Sequence, residues 1–206
     1  MARVDADWSE SAHLSDGTEV QLRMVKPSDR ALMKEAWERL SPTSRYRRFL
    51  SMKGKLTDHD LTYLTEPDGE NHVALGAVRS ADGVEEGLAV ARFVRLADEP
   101  TVAEPAIVVV DPWQHKGLGR LLLARLVEVA RERGIERFRS DVLASNDAMR
   151  SILEGLPGVR FHEDGATITV EATLADLPSS KPRSLLDQLL AWVAEGALSL
   201  RRTLVP

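Results

Sequence analysis

Apolar and polar residues alternate from Thr18 to Val25, with Val20, Leu22 and Met24 on one side and Glu19, Gln21 and Arg23 on the other. That two-residue period predicts a strand with one buried face. Pro27-Ser28-Asp29 stops it and supplies a helix cap, after which Leu32, Met33, Ala36, Trp37 and Leu40 recur at helical spacing until Ser41-Pro42. Short helices are expected from Thr43 to Leu50 and from Thr57 through Leu64, a layer suited to shaping a substrate site. Strands are expected over His72–Arg79 and Gly87–Arg95, joined by the turn residues Ala81-Asp82-Gly83, and over Val102–Val110. The end of the last, Ala106-Ile107-Val108-Val109-Val110, is continuously apolar, as expected of a buried central strand covered on both faces.

From Gly117 to Arg133 the pattern predicts the strongest helix of the chain. Leu118, Leu121, Leu122, Leu126, Val129 and Ala130 form its apolar side, and Gly134 permits a left-handed cap at its end. A strand over Arg137–Leu143, a short helix over Asn146–Leu153 and a hairpin around Glu163-Asp164-Gly165 follow. The order predicts an α/β (α+β) domain with a mixed, mostly antiparallel sheet over residues 18–175. Residues 1–17 are expected as a polar, irregular leader and 176–184 as a linker. Residues 185–206 are expected as an amphipathic helix whose Leu185, Leu186, Leu189, Leu190, Val193 and Ala197 stripe packs on its own domain or on a twin subunit, the latter giving a homodimer, with a membrane surface as the lesser alternative.

Composition narrows the function classes. A net charge of -5 argues against a duplex nucleic-acid binder, and the absence of cysteine removes disulfides, thiolate nucleophiles and thiolate metal ligands. His72, His115 and His162 have no metal-site spacing, so no metal is expected. No apolar run approaches the roughly 18 residues of a membrane span, which makes a cytoplasmic location without stable membrane insertion the default expectation.

The informative stretch is Asp111-Pro112-Trp113-Gln114-His115-Lys116-Gly117-Leu118-Gly119-Arg120, where a strand passes through a loop with two glycines into a long helix. Such a junction gathers unpaired amide donors at the positive end of a helix dipole, an anion site, while Lys116 and Arg120 can add charge at its rim. A tight strand-to-helix turn without a ligand is the alternative. The mononucleotide P-loop pattern is not met, and Leu122 stands where a dinucleotide fingerprint needs its third glycine.

Gln114, Gly117 and Gly119 resemble the acyl-CoA motif [Q/R]-x-x-G-x-[G/A] of the GNAT superfamily of acyl-CoA-dependent N-acyltransferases, and the order of elements over residues 18–173 is similar to that fold. The resemblance implies a sheet splayed at the acyl-CoA site. It implies contacts of Val108, Val109 and Val110 with the pantetheine arm, and of Gln114, His115, Lys116, Gly117, Leu118, Gly119 and Arg120 with the phosphates. Asn146 and Met149, in Ala144-Ser145-Asn146-Asp147-Ala148-Met149, would also meet the cofactor; a plain helix cap is the other reading of Asn146. The segment Leu40–Phe49, with Ala103-Glu104 ten residues before Gln114, resembles the bacterial protein-lysine acetyltransferase branch. By that resemblance acetyl-CoA is the donor, a protein lysine is the favoured acceptor, and Glu104 is the general base.

Such a base is needed because a lysine amine, with a pKa near 10.4, is almost wholly protonated at neutral pH. A surface carboxylate paired with arginine is the alternative for Glu104. Pro105 requires its strand to be an edge or bulged there, and a bulge could aim Glu104 inward or displace it. The last motif helix, around Ser151-Ile152-Leu153-Glu154, has no Tyr to protonate a leaving thiolate. A small-molecule amine acceptor and a non-catalytic acyl-CoA sensor are the competing functions.

Overall fold

In the computed structural model, residues 4–49, 54–81, 83–143, 158–164 and 167–177 are described. The strands are β1 (Ser9–His13), β2 (Glu19–Met24), β3 (His72–Ala81), β4 (Val84–Arg95), β5 (Val102–Val109), β6 (Arg137–Leu143), β7 (Val159–Asp164) and β8 (Thr167–Thr173); the helices are α1 (Arg30–Glu38), α2 (Pro42–Phe49), α3 (Asp58–Thr65) and α4 (Leu118–Glu132). One sheet runs in the order β1-β2-β3-β4-β5-β6-β8-β7. Every neighbouring pair is antiparallel except β5–β6, which is parallel.

The two faces of the sheet bury different sets of residues. Leu22, Leu75, Ala77, Ala91, Phe93 and Ala103 join Leu118, Leu122, Leu126 and Val129 of α4 in the main core. The opposite face, bearing Arg23, Gly76, Val90, Arg92 and Val108, is overlain by α1 and α3, leaving a largely apolar cleft of about 70 Å³. In that cleft Arg23 is bound to Asp29 through two contacts of 2.8 Å. Asp29 therefore does not cap α1 as its position before the helix suggests. Its carboxylate is spent backwards, on Arg23 and on the amide of Lys26 at 2.9 Å.

Residues 9–13, expected within an irregular leader, form an edge strand instead. Polar Ser9-Glu10-Ser11 gave no hydrophobic signal; what holds them is backbone pairing to β2 and the Glu10–Arg125 ion pair at 2.6 Å, which ties β1 to α4. At the other end Leu177, inside the expected linker, is buried. Helix α4 ends as expected at Gly134, whose φ of 73° lets Ile135 N–H reach the carbonyl of Ala130 at 2.9 Å. The expected Asn146–Leu153 helix and the amphipathic helix over 185–206 lie outside the described residues. No described helix is long and apolar enough to cross a membrane.

Candidate acyl-CoA site

Strand β5 is where the sheet opens. It pairs with β4 along its whole length, from Arg95↔Ala103 to Ala89↔Val109, but with β6 only through Val102↔Arg137 and Ala103↔Phe138. Beyond Ala103 the parallel pair has parted, and residues 106–109 are half-buried rather than buried. The expected full burial is therefore not met, although α4 and α2 both pack on β5. The continuous apolar run belongs to a strand with one neighbour along its outer half.

Backbone parity then sorts the three valines. Val110 N–H donates to the carbonyl of Leu88 and Leu96 N–H to that of Val102, both at 2.9 Å, so even-numbered residues of β5 turn their backbone toward β4. The odd-numbered residues Pro105, Ile107 and Val109 turn theirs to the open side. Val108 and Val110, both expected at the cofactor arm, thus spend their backbone groups on β4. The unanticipated Ile107 offers both of its groups and Val109 its N–H, the Val109 carbonyl being taken by Gln114 at 3.0 Å. Strand parity could have found Ile107, had the direction of the β4 bonds been known.

The same parity resolves Pro105. Its missing N–H falls on the side that β6 has already left, so no ladder bond is lost, and the register with β4 runs unbroken from Glu104↔Val94 through Pro105↔Phe93. The strand is an edge here and carries no bulge. Glu104 is exposed, on the sheet face shared by Arg92 and Val108, with no hydrogen bond or ion pair among the described residues. It stands four residues, ~13 Å along the strand, from Val108.

After β5 a single 3-10 turn, Asp111–Trp113, leads to Gln114, and the chain then bends through two left-handed residues, His115 (φ 61°) and Gly117 (φ 84°), into α4. His115 is the one non-glycine residue with positive φ among the described residues, a conformation that costs about 1–3 kcal/mol. The amides of residues 115–120 find no protein acceptor among the described residues; the first bond of the helix is Leu121 N–H to Gly117 O at 3.1 Å. Gly119 faces β5, where a Cβ would stand 3.6 Å from Val109 Cγ2 and 3.8 Å from Ile107 Cδ1.

Side chains brace this loop more than they extend it. Gln114 Nε2 lies 2.9 Å from Asp111 Oδ1 and 3.0 Å from the carbonyl of Val109, which folds its side chain back under the loop. Lys116 is engaged as well: its ammonium is 3.0 Å from Asp16 and 4.6 Å from the centre of the Trp113 ring, and Ser15 donates to its carbonyl. Hydrogen bonds from Thr18, with Lys116 beside it, hold the Asp16 carboxyl down at about 2. Arg120 makes no ion pair or hydrogen bond among the described residues. A cation in the first turn of a helix opposes the dipole, so a partnerless arginine there fits an anion bound in front of it. Asn146 and Met149 lie outside the described residues.

At the far end of the cleft Arg92 donates to the carbonyl of Leu64 at 3.1 Å and lies 3.1 Å from Nε2 of His72, which stacks on Tyr63. Burial, and then the Arg92 cation, push His72 down to about 4. Because this value lies below the ordinary 6.5, the unfolded chain binds the extra proton first, and stability falls as pH drops from 6.5 toward 4. His72→Gln, which cannot take the proton, is expected to lose less stability over that window. Urea titrations of both proteins at pH 7 and pH 4.5 check this; equal acid losses would show that His72 contributes nothing.

A run of free amides at a helix N-terminus beside an open strand edge defines a site for an extended ligand with an anionic end. Residues 28–154 match the acetyltransferase (GNAT) family. The chain belongs to that family of acyl-CoA-dependent N-acetyltransferases, which take the acyl group from acetyl-CoA. It is 35% identical over 170 residues to acetyltransferase Pat of Mycolicibacterium smegmatis, covering 82% of this chain and 50% of that protein. It is 31% identical over 171 residues to acetyltransferase PA5475 of Pseudomonas aeruginosa, covering 82% and 90%. This chain therefore spans half the length of the first relative and nearly all of the second. Among solved structures, the GNAT domain of S. lividans PAT superposes with a TM-score of 0.74 at 28% identity, over 82% of this chain and 98% of that one. The fold also matches that of yncA from Salmonella typhimurium, solved with its cofactor acetyl-CoA, at a TM-score of 0.60 and 17% identity over 79% and 98%.

Proposed function

We propose that the chain transfers an acetyl group from acetyl-CoA to the side-chain amine of a protein lysine, with Glu104 as general base. The observation that carries the reading is the run of unpaired amides at 115–120 standing beside the unpaired edge of β5. The amides and Arg120 are suited to the pyrophosphate. The backbone groups of Ile107, the N–H of Val109 and the carbonyl of Pro105 are suited to the amides of a pantetheine arm lying along the edge in place of a neighbouring strand. Gln114 and Lys116 then act as braces, holding the loop so that it needs no rearrangement to bind.

An arm running from the loop toward Pro105 brings the thioester to the level of Glu104. There Glu104 takes the proton of the incoming ammonium, directly or through one water, and the neutral nitrogen attacks the thioester carbonyl. The C–N bond forms and the C–S bond breaks; the second proton of the attacking nitrogen passes to the departing CoA sulfur, so CoA leaves as thiol without a side-chain acid, and Glu104 returns its proton to solvent. The unbroken register across Pro105 supports a base in position, whereas a Glu104 displaced by a bulge would favour a non-catalytic sensor.

Similarity to the proteins named Pat and the resemblance over residues 40–49 support a protein acceptor. Thiol release from acetyl-CoA, followed with protein acceptors and with small primary amines, is the test. Release with proteins and little with free amines is expected. Faster release with free amines would reassign the acceptor, and thermal stabilisation by acetyl-CoA with no release from any acceptor would support the sensor.

A further inference from the structure

Asp111 lies between the loop and a helix that the motif itself does not include. Its Oδ1 accepts from the Ser44 hydroxyl at 2.7 Å and from Gln114 Nε2 at 2.9 Å, while its Oδ2 accepts from the backbone N–H of Ser41 at 3.0 Å. Ser41 is the residue before α2: its carbonyl takes the first helical bond, from Arg45 N–H at 3.0 Å, and its hydroxyl accepts from Ser44 N–H at 3.1 Å. A carboxylate is therefore seated at the positive end of α2, and the same carboxylate grips the loop through Gln114. Burial raises the Asp111 carboxyl, but the bonds from Ser44 and Ser41 outweigh it and hold the group below its ordinary value. It is charged at neutral pH.

Helix α2 packs on β5, and Arg45 ties it to α1 through the carbonyl of Trp37 at 3.0 Å and the Trp37 ring at 4.8 Å. Motion of α2 relative to β5 is thus governed at its N-terminus by Asp111 and Ser44. We propose that Asp111, with Ser44, is a positioning pair that couples the acyl-CoA loop to α2, so that seating the pyrophosphate on residues 115–120 also fixes the helix flanking the acceptor side of the sheet. The proposal rests on the acyl-CoA assignment of that loop.

Hydrogen exchange of the whole chain with and without acetyl-CoA, on wild type, Asp111→Asn, Ser44→Ala and Ser44→Thr, separates the two ideas. In wild type, acetyl-CoA is expected to slow exchange both at 115–120 and in α2. In Asp111→Asn and Ser44→Ala the loop is expected to stay protected while α2 does not respond. Ser44→Thr, which keeps the hydroxyl, is expected to restore the response. Steady-state kinetics should show acceptor KM raised about tenfold in the first two variants with acetyl-CoA KM nearly unchanged, the scale of one hydrogen bond to a charged group. An α2 indifferent to acetyl-CoA in wild type, or equally protected in Ser44→Ala, would overturn the coupling while leaving the cofactor site standing. No protection at either segment would remove both.

Discussion

Replacing Gly117 and Gly119 together with valine is expected to weaken acetyl-CoA binding by about 100- to 10,000-fold. Gly117 has φ of 84°, where a β-branched residue is strongly disfavoured, so valine would rotate the loop and turn its amides off target. Gly119 contributes differently. Its Cβ position is 3.6 Å from Val109, an ordinary contact, so alanine alone should be mild, whereas the γ carbons of valine crowd Ile107 and Val109 at the strand edge. Losing two charge-assisted amide bonds, each worth about 1.5–3 kcal/mol, amounts to about 3–6 kcal/mol and gives the stated loss. Isothermal titration measures it, with circular dichroism to show that the variant is folded. A dissociation constant within tenfold of wild type would remove the loop from the cofactor site.

The second large effect is on chemistry. Glu104→Gln keeps the size of the side chain and removes its ability to take a proton, so kcat is expected to fall by about 100- to 10,000-fold, the range for a positioned general base. Affinity for acetyl-CoA should scarcely change, because Glu104 holds nothing among the described residues and lies along β5 from the loop amides. The split between kcat and affinity matters. A fall in both would point to a role in shaping the strand, and an unchanged kcat at neutral pH would rule Glu104 out as the base. Raising the pH should partly rescue the variant, since more of the amine is then neutral without help.

The sequence was most legible where local chemistry decides the structure. Helix α4 was readable because Gly117 and Gly134 punctuate a strictly periodic apolar face, and both glycines adopt the left-handed conformations their positions imply. Partners far along the chain were not readable. Asp16 meets Lys116 across a hundred residues, and Asp111 meets Ser44 across 67. Both pairings turn residues that look like free ligands or plain strand ends into braces. The splay implied by the family resemblance is present where the β6 pairing ends after Ala103, but the apolar run Ile107-Val108-Val109 could not report it, because such a run fits a strand with two neighbours and a strand with one equally well. Strand β1 carried no apolar signal because pairing and the Glu10–Arg125 bridge hold it.

The central claim is that the amides of residues 115–120 receive the cofactor pyrophosphate. Amide nitrogen–proton spectra recorded while acetyl-CoA is titrated in test it most directly. The largest shifts are predicted at residues 115–120, with a second set at the Ile107 and Val109 amides on the open edge of β5. Saturable binding that leaves those amides unmoved and shifts another region would contradict it.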